Sequence, residues 1–158
     1  MGYSISKKRR EEKAESIYNI ILKDVEKFLG KDTTYTNDLI KVGKVFLGSK
    51  FKGVFPSDRI PQLTEKQPYA ILNLDNSTQL GSHWIALSRI DDKHSVIYDS
   101  FGRQHSHIIP SVKYSGNGKI LNTDLDKEQK DIEKNCGSRS LAWLILLDKF
   151  GENMALLI

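Results

Sequence analysis

Three short apolar segments in the middle of the chain constrain the fold more than any other feature. They are YAILNLD (69–75), HWIALSRI (83–90) and SVIYDSF (95–101), each rich in aliphatic and aromatic residues and bounded by turn-forming residues. Segments of this length and composition are typical of consecutive β-strands. The polar residues DDKH (91–94) suit a tight turn between the second and third segments. The sequence therefore predicts a small, mostly antiparallel sheet that contains this hairpin.

Helical patterns stand on both sides of these strands. Residues 7–29 predict an amphipathic helix, because apolar side chains recur every three or four positions at Ile17, Ile21, Val25 and Phe28. A shorter helix is predicted over 36–48. A third helix begins at Cys136 and ends before Gly151, which offers a stop.

The remaining segments predict loops and sheet edges. Residues 49–68 hold three of the four prolines and predict a loop. Residues 107–114 and 118–124 are candidate edge strands, although Pro110 weakens the first. The whole pattern predicts a single α+β domain over 1–158, with helices flanking the sheet.

The composition fits one globular domain and excludes several other classes. A chain of 158 residues that is 39% hydrophobic can bury a real core. It has no apolar run of the roughly 18–20 residues that span a membrane, and its first residues lack the apolar core of a secretory signal. The single cysteine cannot form an internal disulfide. We therefore expect a monomer in a reducing compartment, with no membrane contact.

Positive charge is concentrated in the first part of the chain. Residues 1–60 carry 13 Lys and Arg against 8 Asp and Glu, whereas residues 61–158 carry 11 against 12. This bias permits contact with the phosphates of DNA or with another polyanion. A solvated helix face is the alternative interpretation, since few aromatic residues are interleaved with the charges.

Three residues form a pattern that suits nucleophilic catalysis. His83 opens one predicted strand, Asp99 lies near the end of the next, and Cys136 begins a helix. If the two strands pair around 91–94, His83 and Asp99 lie at the same end of the hairpin. A cysteine nucleophile needs a histidine to take its proton and an acid to orient that histidine.

The position of Cys136 at a helix start favours its thiolate form, because free amide groups and the helix dipole stabilise negative charge there. Gly137 would let a substrate carbonyl approach closely, and the Cys136 amide with the Gln129 side chain could donate to an oxyanion. Each residue alone also has an ordinary interpretation: a buried inert cysteine, a strand histidine, a turn aspartate and an exposed glutamine.

A family resemblance joins these positions. Three stretches of the chain resemble the adenovirus-type maturation proteases, which are adenain-like and belong to the clan of ubiquitin-like-protein proteases. They are LGSKFKGVFPSDRI, the stretch from YAILNLD to YDSFG, and QKDIEKNCGSRSLAWL. The resemblance covers roughly residues 34–150. The matching positions are Phe55-Pro56, His83-Trp84, Asp99 with Phe101-Gly102, and Gln129 with Cys136-Gly137. TNDL (36–39) also resembles a signature of the ubiquitin-like-protein proteases.

The resemblance implies a papain-like cysteine endopeptidase, with residues 1–30 as a basic helix ahead of the catalytic core. His83 would be the general base, Asp99 its orienting acid, and Gln129 with the Cys136 amide the oxyanion hole. Trp84 and Gly137 would contact substrate. No metal or other cofactor is implied for the chemistry, and DNA would be an activator bound through the basic N-terminal half.

The implied substrates are capsid or core precursor proteins of a virophage, another small double-stranded DNA virus or a related mobile element. Cleavage would follow glycine in a small-residue motif, in the virion or the host cytoplasm or nucleus. Because Cys136 is the only cysteine, a disulfide-linked activating peptide is excluded. The chain is also shorter than the adenoviral type after the catalytic helix. Two alternatives stay open: a deubiquitinase or deSUMOylase, and a non-catalytic DNA-binding module.

Overall fold

The protein is an α+β domain in which helices flank a five-stranded sheet. The computed structural model describes residues 2–30, 36–74, 83–103, 119–123 and 135–158. The elements in chain order are α1 (Gly2–Leu29), α2 (Thr36–Leu47), a 3₁₀ turn (Gly48–Lys50), β1 (Phe51–Pro56), β2 (Tyr69–Asn73), β3 (Trp84–Asp91), β4 (His94–Tyr98), β5 (Lys119–Asn122), α3 (Cys136–Phe150) and α4 (Glu152–Ala155). The α+β class predicted from the sequence is confirmed.

The sheet is mixed, and its strands follow chain order from β1 to β5. The two inner pairs, β2 with β3 and β3 with β4, are antiparallel. The two outer pairs, β1 with β2 and β4 with β5, are parallel. The expected antiparallel arrangement therefore holds for the three central strands only, and the predicted hairpin is the turn from β3 to β4. The candidate edge strand at 118–124 is confirmed as β5, whereas that at 107–114 lies outside the described residues.

The prediction of a continuous loop over 49–68 is wrong at its start. Phe51–Pro56 forms the edge strand β1, in which Phe51 and Gly53 are buried. An edge strand tolerates glycine and a terminal proline, because only one of its sides pairs with a neighbour. Pro56, the first of the three prolines that indicated a loop, is therefore compatible with a strand, and residues 57–68, which hold the other two, remain outside any helix or strand.

Helix α3 runs through the core. Every residue from Cys136 to Leu147 is buried, as is typical of a helix covered on all sides. It contacts the sheet through β3 and also contacts α1 and α2. The ring of Trp143 stacks on Tyr98 of β4 with 5.4 Å between centroids. Helix α3 is thereby held against both the sheet and the N-terminal helices.

Helix α1 buries a stripe that matches the predicted one only in part. Its buried residues are Ala14, Tyr18, Leu22 and Val25. Phe28, which the periodicity placed on the buried face, is 62% exposed and meets Phe46 edge-on at 5.5 Å between centroids. The difference arises because Tyr18, a polar aromatic residue left out of the apolar pattern, lies at the centre of the face that contacts α3.

The apolar C-terminal residues pack on the core. Ala155 and Ile158 are fully buried, and the indole Nε1 of Trp143 donates a hydrogen bond to the carbonyl of Ala155 at 3.0 Å. Gly151 ends α3 with a φ of 90°, a conformation that favours glycine. Among the described residues, no helix is long and apolar enough to cross a membrane.

Replacing Gly43 with alanine is expected to destabilise the fold by about 1–2 kcal/mol. A Cβ at this buried position of α2 would overlap the ring of Phe51, which is itself buried. Overpacking of this kind costs about 1–3 kcal/mol, and the better helix propensity of alanine returns only about 0.5–1 kcal/mol. Urea unfolding measures the difference. Val45→Ala, at an exposed position of the same helix, is the control. A Gly43→Ala protein as stable as wild type would contradict the packing of α2 on β1.

Candidate functional site

His83 and Asp99 meet at one end of the central hairpin. His83 comes directly before β3 and Asp99 directly after β4, so both lie where antiparallel neighbours bring a strand start beside a strand end. The imidazole Nε2 and the carboxylate Oδ1 are 2.7 Å apart, and both side chains are largely buried. The structure therefore brings these two residues together, while their catalytic roles stay predictions.

The strand register explains how the contact forms. Ala86 pairs with Tyr98, so continuing this pairing would place His83 opposite Phe101, two residues beyond Asp99. The rings of His83 and Phe101 indeed stack, with centroids 4.7 Å apart. A turn after β4, closed by the Gly102 amide donating to the Asp99 carbonyl at 2.9 Å, leaves the Asp99 carboxylate within reach of the imidazole.

The Asp99 carboxylate is held from three directions. Its Oδ1 accepts hydrogen bonds from His83 and from the Phe101 amide at 3.0 Å, and its Oδ2 accepts one from Arg103 Nε at 2.7 Å. The Arg103 guanidinium also lies 5.4 Å from the centre of the Phe101 ring. Sequence reasoning missed Arg103. The available signal was a cation four residues after a candidate acid and just beyond a turn.

The electrostatics of the pair favour its charged form. Burial alone would raise the pKa of Asp99, but hydrogen bonds from His83, Arg103 and the Phe101 amide, with the His83 charge, outweigh it and lower the pKa below its ordinary value. Burial likewise opposes the charging of His83. Hydrogen bonds to Asp99 and Cys136, together with their negative charges, outweigh burial and raise the His83 pKa.

Cys136 interacts with the same imidazole. It is the first residue of α3 and is 4% exposed, and it shares a hydrogen bond with His83. Because Nε2 faces Asp99, Nδ1 is the nitrogen left for the thiol. Asn135, at the N-cap position, makes no side-chain capping bond to the amide groups of the first turn. Those amides favour a negative charge on sulfur.

Gly137 and Trp84 hold the start of α3 against its neighbours. A Cβ on Gly137 would lie 3.2 Å from a methyl group of Leu39 and 3.2 Å from Cδ1 of Trp84. The Ser140 hydroxyl donates to the Trp84 carbonyl at 3.1 Å, and Trp84 is 3% exposed. Glycine permits close packing here, a use the sequence did not predict. Substrate contact by these two residues stays a prediction.

Gln129, the predicted side-chain donor of the oxyanion hole, lies outside the described residues. The Cys136 amide stands at the start of α3, where the first amide groups have no partner within the helix. Within the described part of the chain, no group of three or more His, Cys, Asp or Glu side chains is placed to hold a metal ion. No protein-family model matches the chain, and no curated protein does.

Proposed function

We propose that this protein is a papain-like cysteine endopeptidase in which Cys136 is the nucleophile, His83 the general base and Asp99 the orienting acid. The observation that carries the proposal is the position of the His83 imidazole, which bonds the Asp99 carboxylate through Nε2 and also interacts with Cys136. A thiol, an imidazole and a carboxylate in this order form the arrangement that activates a cysteine for acyl transfer.

In the first half of the reaction, the Cys136 thiol gives its proton to Nδ1 of His83. The thiolate then attacks the carbonyl carbon of the scissile bond, forming the carbon–sulfur bond and moving one electron pair onto the carbonyl oxygen. The Cys136 amide is a donor to this oxyanion, and Gln129 would supply a second donor. Collapse of the intermediate breaks the carbon–nitrogen bond, and imidazolium His83 gives its proton to the leaving amine.

Water completes the reaction. Neutral His83 accepts a proton from a water molecule, whose oxygen attacks the carbonyl carbon of the thioester. The carbon–sulfur bond breaks, the acid product leaves, and the proton returns to sulfur from His83. Throughout the cycle the buried Asp99 carboxylate fixes the ring and stabilises its charged form, and Arg103 holds the second carboxylate oxygen.

The substrate proposal rests on the family resemblance. We place the protein in the maturation of a small double-stranded DNA virus, where it would cleave capsid or core precursors after glycine. The exposed cations of α1 support DNA as an activator, since phosphates attract such a surface. They are Lys7, Lys8, Arg9, Arg10 and Lys13.

A cleavage panel tests the function. Wild type and Cys136→Ser are incubated with peptides bearing glycine before the scissile bond, the same peptides with valine there, and a ubiquitin-like fusion, each with and without double-stranded DNA. We expect cleavage of the glycine peptides by wild type only, faster with DNA at low salt. Cleavage of the fusion alone would favour an isopeptidase. Salt-sensitive DNA binding without cleavage or thiol reactivity would favour a non-catalytic module.

A further inference from the structure

A buried polar network links α1 to the two ends of the candidate site. Its members, which we call the α1 network, are Tyr18, Glu26, Tyr98, Asn135 and Arg139. Building on the proposed function, we propose that the α1 network positions Cys136 relative to Asp99, so that α1 is a working part of the active site. The proposal rests on where the network touches the chain: Asn135 directly precedes Cys136, and Tyr98 directly precedes Asp99.

Asn135 is fixed at both ends of its side-chain amide. Its Nδ2 donates to Oε1 of Glu26 on α1 at 3.2 Å, and its Oδ1 accepts from Nε of Arg139 at 3.1 Å. The amide therefore lies between a carboxylate and a guanidinium, with its donor toward the anion and its acceptor toward the cation. This polarity permits one orientation of the amide only. The residue before the nucleophile is thus held by a side chain 109 positions away.

Arg139 extends the network to the sheet. Its side chain is 9% exposed, and its Nη1 donates to the Tyr18 hydroxyl at 3.4 Å. The Tyr18 hydroxyl in turn shares a 2.7 Å hydrogen bond with the hydroxyl of Tyr98, at the end of β4. The rings of Tyr18 and Tyr98 also meet edge-on, with centroids 6.2 Å apart. The same α1 residue is therefore connected to α3 and to the strand that delivers Asp99.

A purely stabilising role explains this arrangement poorly. A buried polar or charged network contributes little to the free energy of unfolding. The cost of removing its groups from water offsets most of the free energy gained from their contacts. Directional hydrogen bonds fix geometry, however, and displacing reacting groups by about 1 Å can slow a reaction by about a hundredfold. The α1 network therefore acts at residues 98 and 135 more by fixing their positions than by stabilising the fold.

The test compares two Tyr→Phe substitutions that each remove one hydroxyl from the core. Tyr18→Phe breaks the α1 network, whereas Tyr69→Phe removes the 3.0 Å hydrogen bond to Asp148 near the other end of α3. Each is made in the full chain, alone and with His83→Ala. The readouts are the rate of Cys136 alkylation by iodoacetamide over a range of pH and the thermal midpoint. Glu26→Ala, which removes the acceptor of Asn135, is a second variant against the network.

A positioning role predicts an effect that depends on His83. Tyr18→Phe should slow alkylation near neutral pH by about tenfold and change the pH profile, but should alter the rate by less than about twofold in the His83→Ala background. Tyr69→Phe should lower the thermal midpoint and leave the alkylation profile unchanged. Glu26→Ala should act in the same direction as Tyr18→Phe.

Two outcomes separate the two proposals. If wild-type alkylation depends on His83 but Tyr18→Phe and Glu26→Ala affect only the thermal midpoint, the network is structural and the positioning proposal is overturned, while the proposed function stands. If wild-type alkylation is independent of His83 with and without DNA, both proposals fall together.

Discussion

Replacing His83 with alanine is expected to abolish detectable peptide cleavage and to slow iodoacetamide alkylation of Cys136 by about tenfold near neutral pH. General acid–base catalysis contributes about 10²–10⁴-fold to a rate, and this imidazole serves both halves of the proposed cycle. Alkylation responds because the imidazole is bonded to the thiol and, when charged, stabilises the thiolate that reacts. The substitution removes the proton acceptor and leaves the sulfur beside a vacant pocket.

The chain supplies its own control for this experiment. His94 bonds Asp91 through Nδ1 at 3.0 Å, but this pair lies exposed at the hairpin turn, away from Cys136. His94→Ala should leave both cleavage and alkylation at wild-type rates. Circular dichroism of each variant shows whether the fold is retained. A folded His83→Ala protein with wild-type cleavage would contradict the assignment of His83 as the general base.

Much of the fold follows from local patterns in the sequence. The strands β2, β3 and β4 were predicted because their apolar segments are short, rich in β-branched and aromatic residues, and bounded by turns. The helix beginning at Cys136 was predicted because its apolar residues cluster on one broad face before the stop at Gly151. The juxtaposition of His83 and Asp99 followed from hairpin symmetry alone. The centre of the hairpin lies near residue 92, since Ala86 pairs with Tyr98, one position after the midpoint between His83 and Asp99.

What the sequence did not reveal depends on contacts between distant elements. In the sequence, Arg139 is a single polar residue within a predicted helix. Only the fold places it beside Tyr18, 121 positions earlier in the chain. Arg103 has no periodic pattern, because it follows a turn. Strand β1 was missed since Pro56, with the two prolines that follow it, indicates a loop unless a parallel neighbour is known. For Arg139 and β1 the informative partner lies in another element, which composition and periodicity do not report.

Replacing Asp99 with asparagine is expected to reduce cleavage by about a hundredfold or more, since an uncharged amide neither stabilises imidazolium nor fixes the reactive tautomer of the ring. The substitution keeps the size of the side chain but leaves Arg103 without its carboxylate partner. Loss of one partner from a buried ion pair costs about 3–5 kcal/mol. Because the Arg103 side chain is 46% exposed, we expect a value at or below the lower end of that range.

The same substitution should change how stability depends on pH. The folded-state pKa of Asp99 lies below its ordinary value of 3.8, so its stabilising contribution is present above that pH and is lost as the pH falls through the lowered pKa. The pKa of His83 lies above its ordinary value of 6.5, so its contribution is full below 6.5 and is lost as the pH rises through the raised pKa. The pair therefore stabilises the fold most between the two ordinary pKa values, 3.8 for Asp99 and 6.5 for His83.

Urea unfolding across this pH range measures the effect. The difference between wild type and Asp99→Asn should be largest between the two ordinary values and should shrink as the pH rises or falls beyond them. Asp91→Asn is the matched control, because it removes the carboxylate from an Asp–His pair that is open to solvent, where ion pairs contribute little. A constant difference between wild type and Asp99→Asn at every pH would mean that burial and packing, and not the charged His83–Asp99 pair, account for the stability lost.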